Sequence, residues 1–145
     1  MGQVDDTALR AAVVQKSLEL GDRLGDLFVE RAQSYAPRGS FGDRGDAIFE
    51  NIGHDPADVA GDMVVIRVYC TSGHARYNNE GTGIYGPEGE PITALHTLPN
   101  GEPGFLKFDS AIMGIVFTKE VAGYPGSHFW DRAIDDWPDI VAGLA

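Results

Sequence analysis

The side chains in this sequence that could do chemistry are one cysteine, four histidines and two groups of carboxylates. A cysteine nucleophile needs a base beside it, and Cys70 lies in an alternating apolar segment typical of a small core residue. Metal-ligand spacing is absent from the histidines, His54, His74, His96 and His128. Calcium-loop spacing is absent from the carboxylates, Asp55, Asp58 and Asp62, and Asp135, Asp136 and Asp139. We therefore expect neither catalysis nor a bound metal.

A glycine pattern at residues 81–86, with glycine at 81, 83 and 86, matches the loop that holds the phosphates of a dinucleotide. Such a loop works only where a strand leads in and a helix leads out, because the helix N-terminus binds the phosphates. Here residues 87–91 follow, with two prolines and two glutamates, so no regular helix can begin there. We interpret the pattern as a turn and expect no cofactor.

The charge balance argues against nucleic-acid binding. The chain has 11 Lys and Arg against 22 Asp and Glu, a net charge of -11, and its cations are scattered singly. DNA presents about one negative charge per 1.7 Å of axis and would be repelled by such a surface. An anionic membrane would be repelled for the same reason.

Length and composition indicate one domain over residues 1–145, with 43% hydrophobic residues available for a core. Cys70 is the single cysteine, so an intrachain disulfide cannot form. The first residues lack the basic region and apolar core of a signal peptide, and no apolar run approaches the ~18 residues of a membrane span. We expect a protein of a reducing, aqueous compartment.

A long helix is predicted from Asp5 to Ala36, ended by Pro37. Asp5, Asp6 or Thr7 could cap its start. Its apolar stripe is Leu9, Val13, Leu20, Leu24, Leu27 and Tyr35, widened by Phe28 and Ala32. Gly21 and Gly25 lie one turn apart inside it, either as tolerated surface glycines or a slight kink, or as a place where another backbone approaches closely. A polar loop from Arg38 to Asp46 follows.

Strands and a second helix are predicted after this loop. Asp62–Cys70 and Ile112–Val121 are typical of strands, and the first is apolar on both faces. Ile92–Leu98 and Phe105–Phe108 flank Asn100-Gly101, which predicts a hairpin with a type I′ turn. Ser127 could cap a short helix that ends at Pro138. The order is typical of an α+β fold, in which a long N-terminal helix packs on a small, mainly antiparallel sheet, followed by a long hairpin loop and a short C-terminal helix.

Three motifs occur in a fixed order along the chain. The first is Pro37, Gly45, Ile48 and Ile52; the second is Tyr77, Glu80, Gly81, Thr82 and Gly83; the third is Pro125, Phe129 and Ala133. In this order they resemble the tail-completion family, the neck or head–tail joining proteins of long-tailed bacteriophages. The sequence departs from that family by one residue fewer between the glutamate and the glycine, and by a longer spacing after the first proline.

The resemblance implies a structural virion protein, made in the cytoplasm of the host bacterium, that forms a ring at the head–tail interface. Its partners would be copies of itself, about six to match the tail, the connector or head-completion proteins, and tail-terminator or tail-tube proteins. DNA would pass through the lumen without specific binding, and no membrane would be involved. The candidate assembly-interface residues are Tyr77, Glu80, Gly81, Thr82, Gly83, Asn100, Gly101, Pro125, Phe129 and Trp130.

Two further expectations and two alternatives accompany this interpretation. The segment at about 84–104 should reach toward a neighbouring protein. Carboxylates, with Glu88–Glu102 and the group at 135–139 as candidates, should outnumber cations on the channel wall. One alternative is a tail terminator or minor tail protein, and a more distant one is a small ligand-binding module or hydrolase.

Overall fold

The computed structural model describes residues 6–38, 47–110 and 112–144, and it has the predicted α+β architecture. The loop predicted at 38–46, Gly45 included, lies outside the described residues except for Arg38, as does Asp5. The helices are α1 (Asp6–Tyr35), α2 (Ala75–Glu80), α3 (Phe129–Asp135) and α4 (Trp137–Ala142). The strands are β1 (Ile52–His54), β2 (Asp58–Ala60), β3 (Met63–Val65), β4 (Val68–Cys70), β5 (Ile92–Thr93), β6 (Leu106–Ser110), β7 (Gly114–Thr118) and β8 (Glu120–Val121).

The chain groups into two compact units. The first contains residues up to Ala75 together with those from Phe129 onward, and the second contains Arg76–His128. The prediction of one domain over 1–145 stays a prediction, because two groups of contacts within a chain do not by themselves define two independently folding domains.

In the first unit α1 packs against four strands and the two C-terminal helices. The strands form two antiparallel pairs, β1 with β4 and β2 with β3. The core comes mostly from α1, β1 and the two C-terminal helices, with Phe28, Ala32, Ala36, Ile48, Ile52, Phe129, Ala133 and Ile140. Burial of this apolar surface is what holds α1 against the rest of the unit.

The predicted N-terminal helix is confirmed, and the C-terminal half of its predicted stripe faces the core: Phe28 and Ala32 are buried, and Leu24, Leu27 and Tyr35 pack against them. The buried residues are Gly21, Gly25, Phe28 and Ala32, whereas Leu9, Val13 and Leu20 of the predicted stripe are exposed. Residues 6–16 are exposed on every side of the helix. The prediction left out the two glycines because it ranked residues by hydrophobicity, in which leucine stands above glycine. The glycines are buried because they let other segments approach the helix most closely.

Gly21 and Gly25 mark a close approach, but not the approach of another backbone that was expected. A Cβ at Gly21 would lie 2.7 Å from the Cβ of Ala57, and one at Gly25 would lie 2.6 Å from Nδ1 of His54. The neighbours are side chains rather than another backbone. Alanine would strengthen an exposed helix, but here it would displace β1 and the segment before β2.

His54, at the end of β1, joins this strand to α1 through its ring. Its Nε2 lies 3.0 Å from Oδ1 of Asp26, and its Nδ1 lies 2.7 Å from the carbonyl oxygen of Asp55. Both partners are acceptors, so only the doubly protonated ring can donate to both. The bond to Asp26 raises the pKa of His54 above its ordinary value, by more than burial lowers it.

This raised pKa predicts that the fold loses stability as the pH rises. A group whose pKa is higher in the folded state contributes fully below its unfolded pKa, about 6.5 for histidine. The contribution disappears as the pH rises through the folded pKa. We expect the free energy of unfolding, measured by urea denaturation between pH 5.5 and 8.5, to fall over this interval. Asp26→Asn should flatten the profile, and a profile that rises instead would contradict the assignment.

Asp136, between α3 and α4, ties these helices to α1. Its Oδ2 accepts from Tyr35 Oη at 2.5 Å and from Arg31 Nη1 at 2.7 Å. These bonds, that of Tyr35 first, lower the pKa of the Asp136 carboxyl below its ordinary value. The guanidinium carbon of Arg132 lies 3.9 Å from the centroid of the Tyr35 ring. Asp136, proposed above for a channel wall, is thus engaged inside its own unit.

Three predicted elements are divided in the structure. The strand predicted at Asp62–Cys70 is two strands, β3 and β4, which pair with different partners. The strand predicted at Ile112–Val121 is likewise two, β7 and β8. The C-terminal helix does not end at Pro138, which lies in the first turn of α4. Proline is accepted there because the first turn of a helix has no partner for its backbone N–H.

The second unit contains two more antiparallel pairs, β5 with β8 and β6 with β7. In the β6–β7 hairpin Leu106 faces Thr118 and Ser110 faces Gly114. None of the described helices is long and apolar enough to cross a bilayer.

Candidate assembly surface

The two ends of the second unit are joined backbone to backbone in what we call the clasp, residues 78–84 against 122–128. Ser127 N donates to Asn78 O at 2.7 Å, and Thr82 N donates to Tyr124 O at 2.8 Å. Ile84 N donates to Ala122 O at 2.8 Å. Side chains add to the join, since Ser127, predicted to cap the last helix, donates its hydroxyl to Oδ1 of Asn78 at 2.6 Å.

Glycine is required in the clasp because the two segments lie too close for a side chain. A Cβ at Gly83 would lie 2.1 Å from the carbonyl oxygen of Ala122, and one at Gly123 would lie 2.2 Å from that of Thr82. Gly81 and Gly126 would meet backbone atoms at 2.8 and 2.3 Å. The predicted turn at 81–86 is confirmed, with a 3₁₀ turn at Gly83–Tyr85. The role of these predicted interface glycines in the fold is to bring two backbones together.

Aromatic side chains project from the residues in and around the clasp. Tyr77, Tyr85 and Tyr124 are all exposed. Pro125 is exposed, and Glu80 is half-buried and binds Nε of Arg76 at 3.1 Å. Exposed tyrosines are enriched at protein interfaces because the ring buries a large area with little loss of side-chain entropy. The clasp therefore combines a rigid backbone with side chains suited to contact.

The turn at Asn100-Gly101 is present, but it is not of type I′. The predicted hairpin of its flanking strands is wrong, because β5 pairs with β8 and β6 pairs with β7, and only a single bridge joins Thr97 to Pro103. Gly101 N donates to Leu98 O and Leu98 N donates to Glu102 O, both at 2.8 Å, so the loop has three residues. Only Gly101 has a positive φ, of 84°, and Asn100 does not. This matches a turn with proline at its second position followed by a left-handed glycine. Pro99, whose ring holds φ negative, favours that turn, and Asn100 and Gly101 themselves are exposed.

Phe129 and Trp130 lie elsewhere, in the first unit. Phe129 is 1% exposed and belongs to the core, so its side chain cannot reach another subunit. Trp130 packs edge-on against Phe28, with ring centroids 5.2 Å apart. Phe129 is thus removed from the candidate interface, and Trp130 is half-buried within the first unit. The sequence could not show whether this aromatic pair is buried, because Phe-Trp at the start of a helix can face either the core or the solvent.

The β6–β7 hairpin exposes several large apolar side chains. On one face Leu106 and Val116 are half-buried, but on the other Ile115 and Phe117 are 61% and 64% exposed. At the tip Ile112 and Met113 are 94% and 72% exposed. Turns usually carry polar residues. The apolar pair 112–113 beside Gly114 was the one signal of this surface in the sequence, although the similar pair at 129–130 is in the core.

The first unit has an apolar pocket of about 180 Å³. It is lined by Leu24, Gly25, Phe28, Ile66, Val68, Trp130, Ile134 and Trp137. Every lining side chain is apolar or aromatic, and Gly25 contributes backbone alone. Sequence reasoning missed this pocket, since four separate segments contribute to it.

A larger cleft of about 590 Å³ lies within the second unit beside the clasp. Its charged lining residues are Arg76, Glu80, Glu88 and Glu90, and Arg76 is engaged by Glu80. Among the residues that the structure describes, no three His, Cys, Asp or Glu side chains are grouped to hold a metal. The geometry thus offers surfaces for contact, in the form of the clasp, the hairpin and the apolar pocket.

Comparisons with protein-family models, with curated proteins and with solved structures find no match to this chain.

Proposed function

We propose that this protein is a structural assembly subunit, and that its setting is the ring between head and tail of a long-tailed bacteriophage. The observation that carries the assembly role is the apolar surface of the β6–β7 hairpin. A two-stranded hairpin is marginally stable alone in water and needs a further layer on its apolar face. Here Ile115 and Phe117 on one face, with Ile112 and Met113 at the tip, remain exposed.

The neck setting is supported by the order of the three motifs along the chain. In this structure residues 81–83 of the second motif and Pro125 of the third belong to the two segments that pair in the clasp. A shared structural role gives a physical reason why Gly-Thr-Gly and the later proline motif would occur together. The acidic surface, with a net charge of -11, suits a passage through which DNA slides without adhering.

Two alternative functions would use other parts of the particle or of the molecule. A tail terminator or minor tail protein would use the same kind of ring at another level of the particle. A ligand-binding module would use the cleft beside the clasp, whose volume of about 590 Å³ is within the usual range for small-molecule sites. We favour assembly because the cleft is open and acidic, whereas exposed apolar surface of this kind marks protein–protein contact sites.

Purified particles of the phage that encodes this chain test the proposal. We expect mass spectrometry to find the protein at about six copies per particle, and a particle reconstruction to place it between portal and tail. Location at the distal end of the tail tube would favour a minor tail protein, and location at its proximal end a terminator. Absence from the particles, or single copies at scattered sites, would refute the proposed function.

A further inference from the structure

The cleft of about 590 Å³ lies wholly within the second unit, and two neighbouring segments form most of it. Helix α2 contributes Arg76, Tyr77 and Glu80, and residues 86–93 contribute most of the other lining residues. Its volume is that of a ligand site, but such sites bury about 70–90% of a small molecule, whereas this cleft is open to solvent. It therefore suits a side chain carried by a larger molecule better than it suits a free small molecule.

The charges that line the cleft include two carboxylates without a partner. Arg76 is the one cation among the described lining residues, and its Nε binds Oε2 of Glu80 at 3.1 Å. Glu88 and Glu90 are exposed, and within the described part of the chain neither has an ion pair or a side-chain hydrogen bond. With one cation and three carboxylates, the lining has a net charge of -2. A cationic group is the complementary occupant, and a phosphate is repelled.

The rest of the lining favours a guanidinium as this cation. Tyr77 is 61% exposed, and a guanidinium both stacks on aromatic rings and binds carboxylates through its planar fork. The first unit already contains such a contact, since the guanidinium carbon of Arg132 lies 3.9 Å from the centroid of the Tyr35 ring. Pro87 and Ile92 add apolar surface, which matches the methylene stem of an arginine.

We propose that the cleft receives an arginine side chain of a different protein, with its guanidinium between the carboxylates of Glu88 and Glu90 and the ring of Tyr77. The inference goes beyond the proposed function, because it names the chemistry of one contact whatever particle contains the chain. Exposed ion pairs contribute little affinity each. The contact therefore selects the partner, while apolar surface elsewhere provides most of the affinity.

The arginines of this chain are poor candidates for the donor. Five of the seven described ones are already engaged. Three bind carboxylates and two lie against aromatic rings, namely Arg10, Arg31 and Arg76, and Arg38 and Arg132. A second copy would have to break one of these contacts or use one of the remaining two arginines, so a different protein is the better source.

Short peptides titrated into the full-length chain test the contact. The probe is N-acetyl-Gly-Arg-Gly-amide, and its matched control contains citrulline, which keeps the planar shape of arginine without its charge. Binding is followed by NMR through the backbone amide resonances. We expect the arginine peptide to shift the resonances of residues 76–93 and to bind about three- to tenfold more tightly than the citrulline peptide. Equal affinities, no shift, or shifts outside this segment would overturn the inference.

The double variant Glu88→Gln with Glu90→Gln should weaken binding of the arginine peptide about three- to tenfold. Its stability toward urea should stay unchanged, because both side chains are exposed and unpaired. The control is Asp58→Asn with Asp62→Asn, which removes the same charge from exposed sites of the first unit. An equal loss from the control would mean that the peptide responds to the net charge alone, and the cleft would not be its site.

Three further measurements separate the possible sources of the cation. A lysine peptide and spermidine, a free polyamine, should both bind more weakly than the arginine peptide, and Tyr77→Leu should remove this preference. Equal binding of spermidine would assign the cleft to a free polyamine. Shifts of residues 76–93 that depend on the concentration of the chain alone would assign it to a second copy. Either result overturns the proposed contact, and neither affects the particle experiment, so the contact and the proposed function can fail separately.

Discussion

Replacing Gly83 with alanine should destabilise the second unit by about 3–5 kcal/mol. Two effects add. Gly83 has a φ of +63°, a conformation that costs a residue with a Cβ about 1–2 kcal/mol. The new Cβ would also lie 2.1 Å from the carbonyl oxygen of Ala122, and a backbone atom held in the clasp cannot move aside as a side-chain end could. Urea denaturation and amide hydrogen exchange of residues 78–84 and 122–128 measure the loss.

Gly89→Ala separates the two effects. Gly89 has nearly the same φ, +67°, and a Cβ there meets nothing within 4 Å. It should cost only the conformational part, about 1–2 kcal/mol. Equal losses from the two variants would mean that the clasp yields to the added methyl group, and that its close backbone contact is not what holds the second unit.

Phe129→Ala should destabilise the first unit by about 3–5 kcal/mol, as expected when a fully buried phenylalanine is truncated. Phe129 is 1% exposed, and it packs within the core of α1, β1 and the C-terminal helices. Trp130 touches its ring edge-on, with centroids 6.1 Å apart. The tryptophan fluorescence, from Trp130 and Trp137, therefore reports the unfolding transition, and the transition should move to lower urea concentration.

Phe117→Ala is the matched control, because it removes the same side chain from a site that is 64% exposed. Its free energy of unfolding should change by about 0.5 kcal/mol or less, while assembly into particles should fall. If Phe117→Ala proves as destabilising as Phe129→Ala, the exposed face of the hairpin belongs to the fold of the single chain, and the proposed assembly surface is wrong.

The sequence was sufficient for the elements whose evidence is local. The 30 residues of α1 show helical periodicity and end before Pro37. The position of the Asn100-Gly101 turn was also predicted, but its type was not, because Pro99 favours a turn in which Gly101 alone has a positive φ. The division of Asp62–Cys70 into two strands could not be predicted, because each half pairs with a different strand and pairing is a property of the whole chain.

The arrangement of the candidate site could not be predicted for the same reason, because it also depends on contacts between distant segments. Gly81, Gly83 and Gly123 could be recognised as unusual, but not as facing each other, because about forty residues separate them along the chain. Phe129-Trp130 and Ile112-Met113 are both apolar pairs next to a turn. One is in the core and the other is at an exposed tip, and local sequence does not distinguish them.

The clasp also makes the second unit an insertion with adjacent ends. The first unit is composed of the chain before Arg76 and the chain after His128, and Asn79 O accepts from His128 N at 3.1 Å, so the intervening segment leaves and returns at one place. Once such ends are joined, doubling the enclosed length costs only about 0.6 kcal/mol of closure entropy. Natural selection could therefore lengthen, shorten or exchange the enclosed hairpins, and so change what the protein contacts, while the surrounding core kept its sequence.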